Sequence, residues 1–93
     1  MLIQGRKKSE VTFVCEPSAE TREVYLVGDF NDWQTHSQPM RKAKDGSFRA
    51  QLKLPRGRYE YKFLADGIWL DDGAEAEQAP NDFGTLNNVV VVE

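Results

Sequence analysis

Two tryptophans, a lysine and an asparagine pair are the residues of this 93-residue sequence whose types and places point to chemistry. Trp33 closes the run Gly28-Asp29-Phe30-Asn31-Asp32-Trp33, where a strand-like segment enters a turn, and Trp69 follows the turn residues Asp66-Gly67-Ile68. Indoles at such places either cap a core or lie exposed as flat apolar platforms. An exposed ring suits the C–H-rich face of a pyranose and loses little side-chain entropy when covered. Lys62 alternates with Tyr61 and Phe63, so it leaves the core face, and its ammonium group can donate to hydroxyl oxygens. Asn87 and Asn88 follow Gly84-Thr85-Leu86; an amide side chain offers the donor and the acceptor that a sugar diol needs. The same asparagine and threonine types also build ordinary turns.

The outfit of an enzyme is mostly missing. With one cysteine and one histidine, a structural zinc site built from these types is excluded, and no internal disulfide can form. Cys15 lies in the apolar run Val11-Thr12-Phe13-Val14-Cys15 and is expected to pack as a small hydrophobe. His36 sits in the polar segment 34–38 and reads as a solvated loop residue. Asp29, Asp32, Asp66, Asp71 and Asp72 could supply paired carboxylates for glycoside hydrolysis. Adjacent acids near glycines are, however, common turn formers, and so short a chain has little room for a deep cleft. No catalytic residue, metal or cofactor is assigned.

Charge is unevenly spread. Residues 41–62 carry Arg41, Lys42, Lys44, Arg49, Lys53, Arg56, Arg58 and Lys62 against Asp45 and Glu60, whereas residues 66–82 carry six acids and no base. A basic stretch raises nucleic acid as a partner. The net charge of −3 and the spacing of the bases on alternate positions favour a solvated strand face instead, and no nucleic-acid partner is assigned.

Strands are the elements that must position these residues. Phe48, Ala50, Leu52 and Leu54 alternate with Ser47, Arg49, Gln51 and Lys53; Tyr59, Tyr61 and Phe63 alternate with Arg58, Glu60 and Lys62. This period of two marks strands with one wet face. Pro55-Arg56-Gly57 between them predicts a turn and an antiparallel hairpin. Further strands are expected over 11–15, 23–30, 68–70 and 88–92, with a short one over 40–43 returning through Asp45-Gly46. Residues 71–81 read as a long acidic loop able to form a helical turn before Pro80. Several short strands with turns between them, and no helical periodicity, indicate an all-β sandwich occupying residues 1–93 as one domain. No apolar run is long enough to span a bilayer, so no membrane partner is expected. No segment near Met1 resembles a signal peptide, which places the chain in the cytoplasm if Met1 is the native start.

Taken in order, five blocks say more than their parts. Val24-Tyr25-Leu26-Val27-Gly28-Asp29-Phe30-Asn31-Asp32-Trp33, Pro39-Met40, Gly57-Arg58-Tyr59-Glu60-Tyr61-Lys62-Phe63, Asp66-Gly67-Ile68-Trp69 and Phe83-Gly84-Thr85-Leu86-Asn87-Asn88 resemble carbohydrate-binding module family 48. This early-set domain occurs in the glycogen-binding β subunits of AMP-activated protein kinase and at the N-terminus of branching and debranching enzymes. The resemblance runs from Val11 to Val92 and is closer to the kinase-subunit version, because Gly84-Thr85-Leu86-Asn87-Asn88 is intact. It implies an immunoglobulin-like antiparallel β-sandwich that binds α-1,4-linked glucans such as glycogen, starch and malto-oligosaccharides. It further implies that Trp33 and Trp69 stack on glucose rings while Lys62, Thr85 and Asn87 contact hydroxyls. Phe83 stands where the family carries a leucine that projects through the ring of some bound glucans; the flatter, bulkier ring favours a third stacking surface over threading. The implied partners are an α-glucan and a kinase or glucan-metabolising enzyme. The alternative is an early-set docking domain that has lost sugar binding. The intact Trp33, Lys62, Trp69 and Asn87 set favours binding.

Overall fold

The computed structural model describes residues 9–70 and 77–93, together with the backbone of residues 2–4. In chain order the strands are β1 (Leu2–Gln4), β2 (Glu10–Cys15), β3 (Val24–Gly28), β4 (Arg41–Lys42), β5 (Phe48–Lys53), β6 (Gly57–Ala65), β7 (Ile68–Leu70), β8 (Glu77–Pro80) and β9 (Leu86–Val92); a 3-10 turn, Asp29–Asn31, follows β3. They form two antiparallel sheets, ordered β1-β2-β5-β4 and β3-β6-β9-β8, with β7 paired to β6 beyond the end of β9. The architecture is the expected all-β, immunoglobulin-like sandwich.

Alternation places the core between the sheets. Val11, Phe13 and Cys15 of β2, Phe48 and Ala50 of β5, Leu26 of β3, Tyr61 and Phe63 of β6, and Val90 and Val92 of β9 are all buried in one cluster. At its centre Phe13 meets Tyr61 edge-on at 5.0 Å between ring centroids, and Tyr61 meets Phe63 at 5.7 Å. Such edge-to-face pairs add to what burial alone contributes. Cys15 is buried here and packs as a small hydrophobe, as the sequence suggested.

The expected hairpin between the Ser47–Leu54 and Arg58–Leu64 segments does not form. β5 pairs with β2 and β4, while β6 pairs with β3, β7 and β9 in the other sheet. Both strands carry an apolar face, and the Pro55-Arg56-Gly57 connection, with Pro55 and Arg56 exposed, passes from one sheet to the other so that these faces meet each other. Gly57, at φ 155°, makes that crossing with backbone geometry few other residues adopt. Period-two alternation identifies the buried face of a strand but not the neighbour along its edge. Other differences are local. The 23–30 strand ends at Gly28, and Glu77–Pro80 is an edge strand, where proline is tolerated, rather than a loop or helical turn. Residues 71–76 of that acidic stretch lie outside the described residues. Ser47, expected on the wet face, is buried because the Asp45 carboxylate accepts both its N–H (3.0 Å) and its hydroxyl (2.6 Å).

The register of β6 sets what faces outward. Val27 lies opposite Lys62, and Tyr25 and Trp69 flank Leu64, all on the face turned away from the core. Val27, Leu64 and Val89 are nevertheless buried on this outer face, so side chains and a loop cover it.

Gly28 marks the place where the covering loop leaves β3. A Cβ there would lie 2.5 Å from the Glu60 carbonyl oxygen and 2.9 Å from Tyr61 Cβ, with backbone on one side and core on the other. Gly28→Ala is expected to destabilise the domain by about 1–3 kcal/mol, the usual range for overpacking. Urea unfolding checks this, and an unchanged midpoint would show that the strands separate without cost.

A second anchor is Asp66, in the left-handed region at φ 47°. Its carboxylate accepts the N–H groups of Arg22 (3.0 Å) and Glu23 (2.9 Å). The bond from Arg22, then that from Glu23, holds its carboxyl below the usual carboxylate range. A depressed folded-state pKa adds stability that is complete above the unfolded value and lost as pH falls through the folded value. Asp66→Asn is therefore expected to lower stability at neutral pH and to flatten the acid side of the stability–pH profile. Thermal melts from neutral to acid pH test both; parallel profiles would contradict the assignment.

Candidate functional site

The covering loop begins with a tight 3-10 turn, stabilised by Asn31. Its amide donates to the Leu26 carbonyl (3.0 Å) and its Oδ1 accepts the Gly28 N–H (3.1 Å). Asp32 and Trp33 then both take left-handed backbone conformations, at φ 55° and 58°. A bulky residue held there costs on the order of 1–3 kcal/mol and persists only when its surroundings fix it. Trp33 is fixed twice: its N–H donates to the Gly28 carbonyl (3.0 Å) and its indole Nε1–H to Asp29 Oδ1 (2.9 Å). Asp29 Oδ2 in turn accepts the Glu60 N–H (2.7 Å), one residue beyond the last β3–β6 pair, Gly28–Tyr61. One carboxylate thus ties the indole edge to the strand that carries Lys62.

On the other side of that strand, the turn between β8 and β9 is organised by Asn81. Asn81 Oδ1 accepts the N–H groups of Phe83 (2.9 Å) and Thr85 (3.1 Å), and its Nδ2 donates to Thr85 Oγ1 (2.8 Å) and Asn87 Oδ1 (2.9 Å). Thr85 Oγ1 also accepts from Lys62 Nζ (3.0 Å), which fixes the lysine over the sheet. Asn87 donates through Nδ2 to Glu60 Oε1 (3.2 Å), whose other oxygen accepts from Arg58 (3.1 Å). A continuous hydrogen-bonded chain therefore runs from Glu60 through Asn87, Asn81 and Thr85 to Lys62.

Between these two supports lies a depression of about 600 Å³ on the outer face of the second sheet. Of the residues singled out in the sequence, Trp33, Lys62, Trp69, Phe83 and Asn87 line it, whereas Asn88 is fully buried and donates to the Tyr61 carbonyl (3.2 Å). Thr85 is exposed beside the depression, its hydroxyl bonded to two of the lining residues, Lys62 and Asn81. Trp33 is half-buried, Trp69 is 47% exposed and Phe83 is 91% exposed, so apolar ring surface is open to solvent beside a small set of fixed polar groups. Asn87 is buried but keeps an edge in the depression. Apolar faces with a few convergent donors and acceptors make a recognition site for a ligand that is itself apolar on its faces and hydroxylated at its rim.

Glu60 and Asn81 escaped the sequence reading as site residues, and Asp29 entered it only as a candidate carboxylate, although all three line the depression. Asp29 stands four residues before Trp33, and Glu60 shares the outward face of β6 with Lys62; these spacings were the available signals. Asn81 had none beyond its place after Pro80. Asp29 and Asp66 accept N–H bonds, as turn formers do, while Asp71 and Asp72 lie outside the described residues. His36 lies away from this depression, its ring 4.7 Å from that of Tyr25 and its Nδ1 2.8 Å from Thr35 Oγ1. The basic stretch is divided: Arg41, Lys42, Arg49 and Lys53 are exposed on the first sheet, whereas Lys62 belongs to the second.

Residues 11–93 match the family described as the glycogen recognition site of AMP-activated protein kinase. The chain belongs to this family. Among similar proteins, a 5'-AMP-activated protein kinase subunit beta-1 of Sus scrofa is 40% identical over 72 residues, covering 77% of this chain and 56% of that protein. The human subunit beta-2 is 38% identical over 72 residues, covering 77% of this chain and 25% of that protein. The chain thus spans between a quarter and rather more than half of these relatives. Within this glycogen-recognition family the five ordered blocks, read first as a resemblance, fall inside the matched segment.

Proposed function

We propose that this domain is a non-catalytic module that binds α-1,4-linked glucans: glycogen, starch and malto-oligosaccharides. The observation that carries the reading is that Trp33 and Trp69 open onto one depression together with Lys62 and Asn87. In this reading the two indoles stack on successive glucose rings and Phe83 offers a third ring at the rim. Lys62, Thr85 and Asn87 fix the register by hydrogen bonds to hydroxyls. Rings carried on separate elements, Trp33 on the loop after β3 and Trp69 on β7, follow the twist of an α-glucan better than the flat ribbon of cellulose. Affinity per site is modest, because little area is covered and the desolvation of hydroxyls offsets much of each hydrogen bond. The β-subunit relatives support a role within a kinase assembly, in which the module would carry its partner to a glucan surface.

Co-sedimentation tests this. The protein is expected to pellet with glycogen and starch and to stay in solution with cellulose. Failure to pellet with any of the three would leave the early-set docking role instead.

A further inference from the structure

Asn81 uses its whole hydrogen-bonding capacity inside the protein: both amide protons and both lone pairs of Oδ1 are engaged, with Phe83, Thr85 and Asn87 as partners. The consequence for Thr85 is specific. Its Oγ1 accepts from Lys62 Nζ and from Asn81 Nδ2, which occupies both lone pairs and leaves its proton without a partner among the described residues. A hydroxyl so placed can only donate. Asn87 is constrained from two sides as well, since Asn81 Nδ2 requires an oxygen and Glu60 Oε1 requires an N–H. The amide of Asn87 has one orientation that satisfies both.

We infer that Asn81 is a positioning residue of the glucan site, which makes the Thr85 hydroxyl a donor toward ligand oxygen and locks the Asn87 amide in a single orientation. This rests on the glucan-binding reading and adds a polarity to it. Lys62 keeps two ammonium protons without a partner among the described residues, so with Thr85 it forms a donor pair. That edge selects ligand oxygens able to accept, such as hydroxyl and ring oxygens of glucose.

The isosteric change Asn81→Asp separates this role from turn building. Aspartate keeps an acceptor for the Phe83 and Thr85 N–H groups, so the turn survives. It loses both donations, and its second oxygen draws the Thr85 proton inward and opposes Asn87 Oδ1. Titration with maltoheptaose is expected to show a loss of about tenfold for Asn81→Asp and a similar loss for Thr85→Val, while Thr85→Ser, which keeps the hydroxyl, binds like the unaltered protein. The Asn81→Asp/Thr85→Val pair should bind within about twofold of the weaker single variant, because the hydroxyl has already turned away. Multiplicative losses in the pair, or undiminished binding by Asn81→Asp, would overturn the inference. A readout free of ligand accompanies these: in the NMR spectrum of Asn81→Asp the Asn87 side-chain amide resonances should move, while the Phe83 and Thr85 backbone amides keep their protection. If the unaltered protein does not bind maltoheptaose, the glucan reading itself fails. The ligand-free spectrum then decides the positioning role, and unmoved Asn87 resonances contradict it.

Discussion

The Trp33→Ala/Trp69→Ala double variant is expected to lose retention on glycogen altogether while remaining folded. Each ring is a large apolar surface held in a fixed place, and removing a well-placed aromatic contact costs about 1–3 kcal/mol. A loss of 1.4 kcal/mol is tenfold in affinity, so two such losses exceed what a modest site can spare. The fold should survive because neither indole belongs to the core cluster and Trp69 is 47% exposed. Removal of Trp33 also takes a bulky side chain from a left-handed backbone position, although alanine is strained there too. Retention on a glycogen column and a thermal melt, measured together, check both halves. A double variant that still binds glycogen would remove the platform; one that unfolds would make an indole part of the core.

Phe13→Ala should have the largest effect on stability, and it should reach the site. Phe13 is fully buried, with its ring 5.0 Å from Tyr61 and 5.6 Å from Phe30. Truncating a buried phenylalanine costs about 3–5 kcal/mol through lost burial and the cavity left behind. A domain of this size holds roughly 5–15 kcal/mol in total. Phe30 lies in the 3-10 turn between Gly28 and Trp33, so a cavity at Phe13 loosens the base of the loop that orients the indole. Urea unfolding should show the loss of stability, and glycogen binding at a temperature where the variant is still folded should be weaker. A cost under about 1 kcal/mol would mean the core closes over the gap.

The faces of β5 and β6 could be read from sequence because a strand's side chains alternate whatever its neighbours are. Phe48, Ala50, Tyr61 and Phe63 are accordingly buried, with Arg49 and Lys62 on the opposite faces. Which strand lies beside which depends on contacts between distant residues, and local pattern does not contain it; hence the predicted β5–β6 hairpin is replaced by a crossing between sheets. β8 was missed for a similar reason. Glu-Gln-Ala-Pro carries no β-branched or aromatic residue and pairs only because β9 offers it an edge. In the site, Trp33, Trp69 and Lys62 were legible because rings past turns and an outward lysine are unusual, Asn87 because its amide offers both a donor and an acceptor, and Phe83 only through the family resemblance. Asp29 and Asn81 were not, because a polar residue in a turn looks the same whether it bonds only its own turn or also orients a tryptophan four residues away.

The central claim is that the outer face of the second sheet binds a neutral α-glucan. Its most direct test is a titration of the isotopically labelled protein with maltoheptaose at about 50 and about 200 mM salt. A neutral ligand releases no condensed counterions, so the affinity should change little between the two, whereas binding through several phosphate contacts weakens by about a thousandfold or more over that range. The account predicts saturable, salt-insensitive binding, with resonance shifts centred on Trp33, Lys62, Trp69 and Asn87. No binding to maltoheptaose, accompanied by steeply salt-dependent binding of single-stranded DNA on the face carrying Arg41, Arg49 and Lys53, would contradict it.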